Sequence, residues 1–308
     1  MLKKVLIIGM GSIGRKHYDA FTLLGCTVKA VSKHLAQNNH NIFRHLTEGL
    51  QNFQPDLCII ANDTADHAAS LLEIRAYSEN IRILVEKPLF NMPQKGAISH
   101  TDNIFVAYNL RFLPIIQNLK RQVSTKNISS VDIYCGSYLP NWRPETDYRC
   151  SYSASSIRGG GVLWDLSHEI DYAQWLFGDL SLISSLCGTF STLEIDSDDT
   201  ALILANSPRC PAISIRLNYT DQIAKRHIEV LSSDETLYAN LINGKMSING
   251  EIQEFQQNIQ HTYLMQAKAL LQDHPDINTC TYENGLKTTA FILRAKELSN
   301  DQQNQTNL

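Results

Sequence analysis

The chain of 308 residues has no apolar run longer than a strand, no block of lysine and arginine, and no pair of cysteines at C-x-x-C spacing. Each absence closes off a class of protein. Without about 20 consecutive apolar residues, no segment is expected to span a bilayer. With a net charge of −4 and its basic residues dispersed, the chain offers no surface for neutralising the phosphates of a nucleic acid. The seven cysteines, at positions 26, 58, 135, 150, 187, 210 and 280, are odd in number and scattered. That pattern argues against a disulfide framework or a zinc knuckle, and for reduced thiols in a cytoplasmic protein. Lys3-Lys4 before Val5-Leu6-Ile7-Ile8 imitates the start of a signal peptide, but the apolar part is short and breaks at Gly9. No repeat or low-complexity tract is present, and the polar tail 300–308 is expected to fray. No metal site is expected.

What is present is an ordinary globular composition, 43% hydrophobic and 19% charged, in a chain long enough for two domains. Strand and helix signals alternate through the first third. Strands are expected at 4–8, 27–31, 57–61, 82–85 and 104–108, and helices at 15–24, near 46–52, at 65–77 and at 111–122 with Pro114 in its first turn. Alternation with short loops is the signature of right-handed βαβ units and a parallel sheet. From 129 onward come strands of alternating polarity, at 131–138, 180–191, 200–205, 212–219 and 226–231, which point to a large, mostly antiparallel sheet. One helix is expected at 162–177, ending at Gly178, and two more near 262–271 and 284–298. The boundary is placed at 118/119, giving an α/β fold of two domains, 1–118 and 119–308.

The most informative segment is the first strand running into Gly9-Met10-Gly11-Ser12-Ile13-Gly14. In a strand–turn–helix setting Gly9 permits the tight turn, Gly11 lets backbone approach a pyrophosphate, and Gly14 lets the helix pack close to the strand. The phosphates then lie at a helix N-terminus, where free N–H groups and the dipole favour an anion. Backbone at Ser12 and Ile13 belongs to this grip. The fourth strand signal ends at Ala61-Asn62-Asp63-Thr64, at the carboxyl edge where open α/β sheets bind ligands, so Asn62, Thr64 and nearby His67 join the candidate cofactor residues. Where an NAD site commonly has an acidic residue about twenty positions past the glycines, this chain reads Val31-Ser32-Lys33-His34. A hydroxyl at Ser32 and a cation at Lys33 suit a 2′-phosphate, so NADP is favoured over NAD, with use of both cofactors left open.

Two further segments carry chemistry. Arg82-Ile83-Leu84-Val85 delivers Glu86 and Lys87, then Pro88, to the same sheet edge. A lysine partly desolvated beside a nicotinamide is a plausible proton donor or acceptor; the plainer reading is a charged strand end in solvent. Gly159-Gly160-Gly161 leads into a helical stretch on which Asp165 and His168, three residues apart, are expected to share a face. There the histidine could take a hydroxyl proton and the carboxylate orient it. Leu163, Leu166, Ile170 and Leu176 mark the buried stripe of that helix. Trp142-Arg143-Pro144-Glu145-Thr146-Asp147-Tyr148-Arg149 is rich in groups that pack on sugars and bind anions. Trp142, Arg143, Tyr148 and Arg149 are therefore candidate substrate contacts, with Asn109, Arg111 and His168; an ordinary charged loop reads equally well.

Taken in order and spacing, the G-x-G-x-x-G turn, the Glu86-Lys87-Pro88 strand end and the Gly-Gly-Gly helix bearing His168-Glu169-Ile170-Asp171 resemble the glucose–fructose oxidoreductase/inositol dehydrogenase (Gfo/Idh/MocA) family. The resemblance spans nearly the whole chain. It implies an N-terminal Rossmann doubly wound sheet, a C-terminal α/β domain with a large open sheet that self-associates, NAD(P), and hydride transfer at a sugar-like hydroxyl. It also implies catalytic roles for Lys87, His168 and Asp165, with Glu86 and Lys87 beside the cofactor. The chain departs from the family where the aspartate commonly precedes the histidine by four residues: that position is Trp164. Two arginines near the glycines favour an anionic or nucleotide-linked sugar, as in surface-glycan synthesis. Two rivals stay open: an enzyme that retains NAD and oxidises its substrate transiently for elimination or glycosidic cleavage, and a non-catalytic cofactor-binding sensor.

Overall fold

The computed structural model describes residues 3–33, 41–93, 98–274 and 276–306, with side chains to residue 302. His34, quoted above, lies outside the described residues. The chain divides into two units, one running to Phe112 and taking up Asn258–Leu286, the other comprising Leu113–Gln257 and the residues from Lys287 on.

In the first unit, strands β1 (Lys4–Ile8), β2 (Thr27–Val31), β3 (Ile42–Phe43), β4 (Leu57–Ile60), β5 (Arg82–Val85) and β6 (Ile104–Val106) are mutually parallel. Helices α1 (Ser12–Leu23), α2 (Leu46–Phe53) and α3 (His67–Tyr77) connect them. Val5 to Ile8 and Leu57 to Ile60 are buried without alternation, as strands covered on both faces must be. The strand β3 was not expected. It lines up on β2, with Ala30 and Val31 opposite Ile42 and Phe43. Just past this unit's first segment, Pro114 stands at the start of α4 (Pro114–Val123), a helix of the second unit, where its missing N–H costs nothing.

The second unit is built on β7 (Ile128–Gly136), with α5 (Val162–Asp165), α6 (His168–Phe177), β8 (Ser181–Gly188), β9 (Thr200–Ser207), β10 (Cys210–Asn218), β11 (Lys225–Ser232), β12 (Thr236–Asn240), β13 (Lys245–Ile248) and β14 (Glu251–Glu254) following. Among the described residues they form a sheet in the order β14-β13-β12-β11-β7-β10-β9-β8, antiparallel throughout except where β7 meets β10. Side chains alternate between faces. Ile133, Ile203, Ile215, Leu217, Ile228 and Val230 are buried. The opposite face exposes Leu186, Leu202 and Leu204. On the register row through Leu202 it continues as a ladder, with Arg216 over Tyr134, Tyr134 stacked on His227 at 5.3 Å and His227 against Tyr238 at 5.2 Å. Burial holds the His227 ring below the usual imidazole range.

Three expectations are corrected here. The single boundary at 118/119 gives way to a discontinuous first unit. Helix α7 (Ile259–Leu270) places Tyr263, Ala267 and Leu270 in the core with Val5, Phe21, Leu57 and Phe105, and β15 (Cys280–Thr281) pairs antiparallel with β6. The helix expected at 162–177 is broken: Leu166 and Ser167 separate α5 from α6. Asp165 and His168 therefore do not share the face of one helix. The tail, expected to fray from 300, continues to Thr306 as part of α8 (Tyr282–Thr306), because Ala295 and Ser299 on that helix are buried and Ser299 Oγ accepts the Cys187 N–H at 2.8 Å; residues 307–308 lie outside the described residues.

Candidate functional site

The first unit gathers its functional candidates at the carboxyl edge of the parallel strands. Gly9 follows β1 with φ +97°, and a side chain there would meet the Ala61 carbonyl oxygen at 2.5 Å. Gly14 is buried, and a Cβ on it would overlap the Gly9 carbonyl, so its bareness is what lets α1 pack onto β1. Gly11 is different in kind. It is exposed, it caps α1 without any side chain bonding the helix end, and a Cβ on it would meet nothing within 4 Å. An uncapped helix N-terminus with open space before it fits a dinucleotide pyrophosphate. Ser12 beside it is exposed, while the Ile13 side chain packs on the core and leaves only backbone for a ligand.

At the tip of β2, Ser32 is half-buried and Lys33 exposed. The Ser32 N–H donates to the Phe43 carbonyl at 2.9 Å, so Arg44, the next residue, lies at the same edge. That second cation was missed because β3 is too short to read from periodicity. Past β4, Asn62 Nδ2 donates to Ser70 Oγ at 2.9 Å, and Thr64 opens a short turn leading into α3. His67 is 1% exposed and boxed in by carbonyls, Pro88 at 3.1 Å and Leu89 at 3.3 Å from Nδ1 and Asn62 at 3.3 Å from Nε2. Burial pushes its pKa down, and the neutral ring this favours donates from one nitrogen only, to the carbonyls on one side of it.

Glu86 and Lys87 end β5. The bland reading of a solvated pair fails for Glu86, which is buried: its Oε1 meets His17 Nε2 at 2.7 Å and its Oε2 accepts the Lys87 N–H at 3.1 Å. Lys87 is half-buried, and its peptide bond to Pro88 is cis. No motif singles out His17, although it lies with Gly14 and Phe21 on the buried stripe of α1, the one signal in the sequence that could have found it. Asn109 and Arg111 are also buried in this unit, Asn109 donating to Thr262 Oγ1 at 2.7 Å.

The second unit has its own concavity, about 160 Å³, lined by Leu139, Trp142, Arg143, Thr146, Tyr148, Ser151, Tyr152 and Ser153. Three of the four residues expected from this loop line it. The fourth, Arg149, does not; it is exposed and bridges Asp147 and Glu194, each at 2.8 Å. Trp142 donates to Ser137 Oγ at 2.8 Å and sets its ring edge-on to Tyr219, 5.2 Å between centroids. Tyr219 donates to Asp165 Oδ2 at 2.6 Å and Tyr152 to Asp165 Oδ1 at 2.5 Å. Asp165 is thus buried with both oxygens engaged, and burial beside its charge drives both phenols far above their usual range, which keeps them donors at any ordinary pH. No local pattern links Tyr152, Asp165 and Tyr219, which lie on a loop, α5 and the end of β10.

Gly160 and Gly161 serve this architecture rather than a ligand. A Cβ on Gly160 would overlap the Tyr152 carbonyl, and one on Gly161, at φ +118°, would meet the Asp198 carboxylate at 2.6 Å. Asp198 accepts the Leu163 N–H at 3.1 Å and pairs with Lys296, holding the start of α5. His168, half-buried, opens α6. Next to it Glu169 is fully buried in a forked pair with Arg226, 2.6 and 3.0 Å, and accepts from Tyr172. Among the described residues no group of three His, Cys, Asp or Glu side chains is placed to hold a metal, and no described helix is long and apolar enough to cross a membrane.

A Rossmann-like parallel sheet with an open glycine cradle in one unit, and a large mostly antiparallel sheet in the other, define the class: a two-unit α/β chain. Residues 116–237 match the model of the GFO/IDH/MocA C-terminal domain, a stretch that includes the His168-Glu169-Ile170-Asp171 motif. No curated protein sequence matches the chain. Solved structures of the same fold include levoglucosan dehydrogenase in complex with NADH and levoglucosan, TM-score 0.81 at 14% identity, covering 98% of both chains. They also include the WlbA dehydrogenase from Bordetella pertussis in complex with NADH and UDP-GlcNAcA, TM-score 0.75 at 16% identity, covering 98% of both chains. A third is UDP-N-acetylglucosamine 3-dehydrogenase GnnA from Acidithiobacillus ferrooxidans, TM-score 0.76 at 14% identity, covering 97% of this chain and 98% of that one.

Proposed function

We propose that the chain is an NAD(P)-dependent oxidoreductase that moves a hydride between the cofactor and a hydroxyl or keto carbon of a sugar derivative. The observation that carries this reading is the cradle at Gly11, open at the uncapped start of α1 and on the same sheet edge as Glu86 and Lys87. Gly9 to Gly14 hold the pyrophosphate through backbone N–H groups, and the segment from Asn62 to His67 lines the edge beside them. When bound, the nicotinamide supplies the hydride acceptor. Lys87 moves the proton of the substrate hydroxyl, and His168 is the second group for that proton. Asp165, tied to Tyr152 and Tyr219, acts by holding the wall of the second unit's pocket.

Ser32, Lys33 and Arg44 at the tip of β2 favour the 2′-phosphate of NADP. Trp142 offers an apolar face, and Arg143 and Tyr148 polar contacts, for an anionic or nucleotide-linked sugar; the neighbouring enzymes that act on UDP-sugars support that class. The exposed leucines and the Arg216–Tyr134–His227–Tyr238 ladder suit burial against a second copy of the chain in a cytoplasmic homodimer or tetramer. Fluorescence titration with NADPH and NADH, followed by a screen of nucleotide-activated and acidic sugars by NAD(P)H absorbance, tests the reading. Tighter binding of NADPH and turnover of one such sugar are expected. Absence of binding by either cofactor overturns the proposal, and one equivalent of NAD retained through purification with no net absorbance change points to the transient-oxidation rival.

A further inference from the structure

Behind the strand end that carries Lys87, a buried imidazole meets a buried carboxylate. His17, 1% exposed on α1, sets Nε2 at 2.7 Å from Glu86 Oε1. The other oxygen of the same carboxylate accepts the Lys87 backbone N–H at 3.1 Å, and Glu86 is anchored by its own N–H on the Ile60 carbonyl at 2.8 Å. Tyr263 packs edge-on against the imidazole, 5.1 Å between ring centroids. Gly14 sets this geometry up, since α1 can bring His17 to the end of β5 only by lying close on β1.

A buried carboxylate that loses a partner does not stay where it was; an unsatisfied buried oxygen is costly, and the group turns to recover a hydrogen bond. Turning Glu86 releases the Lys87 N–H with it. We propose that His17 is a positioning residue, clamping Glu86 so that Glu86 fixes the backbone from which the Lys87 amine projects. The importance of this clamp for turnover rests on the oxidoreductase reading above. Its effect on the Lys87 amine does not. A mere tie between helix and sheet would lower stability and leave the amine as it was.

The experiment is competitive acylation of lysines with acetic anhydride on the full-length protein, read by mass spectrometry as the rate at Lys87 relative to the other lysines across pH. His17→Ala is expected to change the Lys87 rate by about fivefold or more, with the remaining lysines unaffected. His17→Gln, whose amide can still donate to Glu86, is expected to return the rate to within about twofold. His17→Leu, which fills the space but donates nothing to Glu86, provides the same readout should His17→Ala not fold. An unchanged Lys87 rate in either folded variant, or equal shifts in His17→Ala and His17→Gln, overturns the proposal. With a turned-over substrate, kcat of His17→Ala falls about tenfold while the NAD(P)H Kd stays within about threefold. A shifted Lys87 rate in a protein that oxidises no sugar condemns the oxidoreductase reading and leaves the clamp standing.

Discussion

The two glycine-rich turns of this chain differ in what fills the space their missing side chains leave. Around Gly160 and Gly161 the protein fills it with its own atoms, the Tyr152 carbonyl and the Asp198 carboxylate. Around Gly9 and Gly14 backbone does the same, but Gly11 faces open space at an uncapped helix end. Glycine content alone does not separate a ligand cradle from a tight internal joint; the atoms a Cβ would meet do.

If the first turn serves chemistry, the largest effect lies beside it. Lys87→Ala is expected to lower kcat by about 10²–10⁴, the usual range for a lost proton-transfer group, with little change in the Kd for NADPH. Turnover within a few-fold of the parent removes Lys87 from that role. Gly14→Ala comes next. Its methyl must displace the Gly9 backbone, so a stability loss of about 3 kcal/mol is expected in chemical denaturation. Gly161→Ala combines φ +118° with a collision at Asp198 and should cost about 2 kcal/mol, while nucleotide affinity stays unchanged. A loss of cofactor binding in that variant would break the contrast between the turns. Gly11→Ala should show the reverse pattern, stability nearly unaltered and NADPH affinity about tenfold weaker, or about 1.4 kcal/mol.

The smallest expected effect is one of pH. Burial lowers His67 below the ordinary 6.5 of an unfolded histidine, so the unfolded chain takes up this proton first. Its contribution to stability is therefore full above about pH 6.5 and is lost as pH falls below it. Thermal midpoints measured from pH 7.5 down to 5.5 should decline, and His67→Gln should flatten that decline. Parallel curves for the two proteins remove His67 as its source.

Local rules were sufficient wherever the structure is local. The bounds of β1 and β5 follow from short apolar runs that end at Gly9 and at Glu86, and Pro114 marks a helix start. What could not be read is set by distant partners. The apolar positions of 162–177 continue smoothly through Leu166 and Ser167, and nothing in that pattern records that Asp198, far along the chain, fastens α5 separately from α6. Tyr152 and Tyr219 meet Asp165 from opposite sides of the sequence. Likewise the pairing of Cys280 with Val106 has no trace in either neighbourhood.

That last pairing bears on how the polypeptide matures. Tyr263, Ala267 and Leu270 complete the apolar interior shared with Phe21 and Leu57, and β15 covers the rim of β6. A ribosome that has released the first 112 residues has therefore not yet delivered everything the nucleotide-type layer needs to close. A gene fragment ending there should yield a sticky, incomplete body, whereas one grafting 258–286 onto it through a short linker should yield a self-sufficient one.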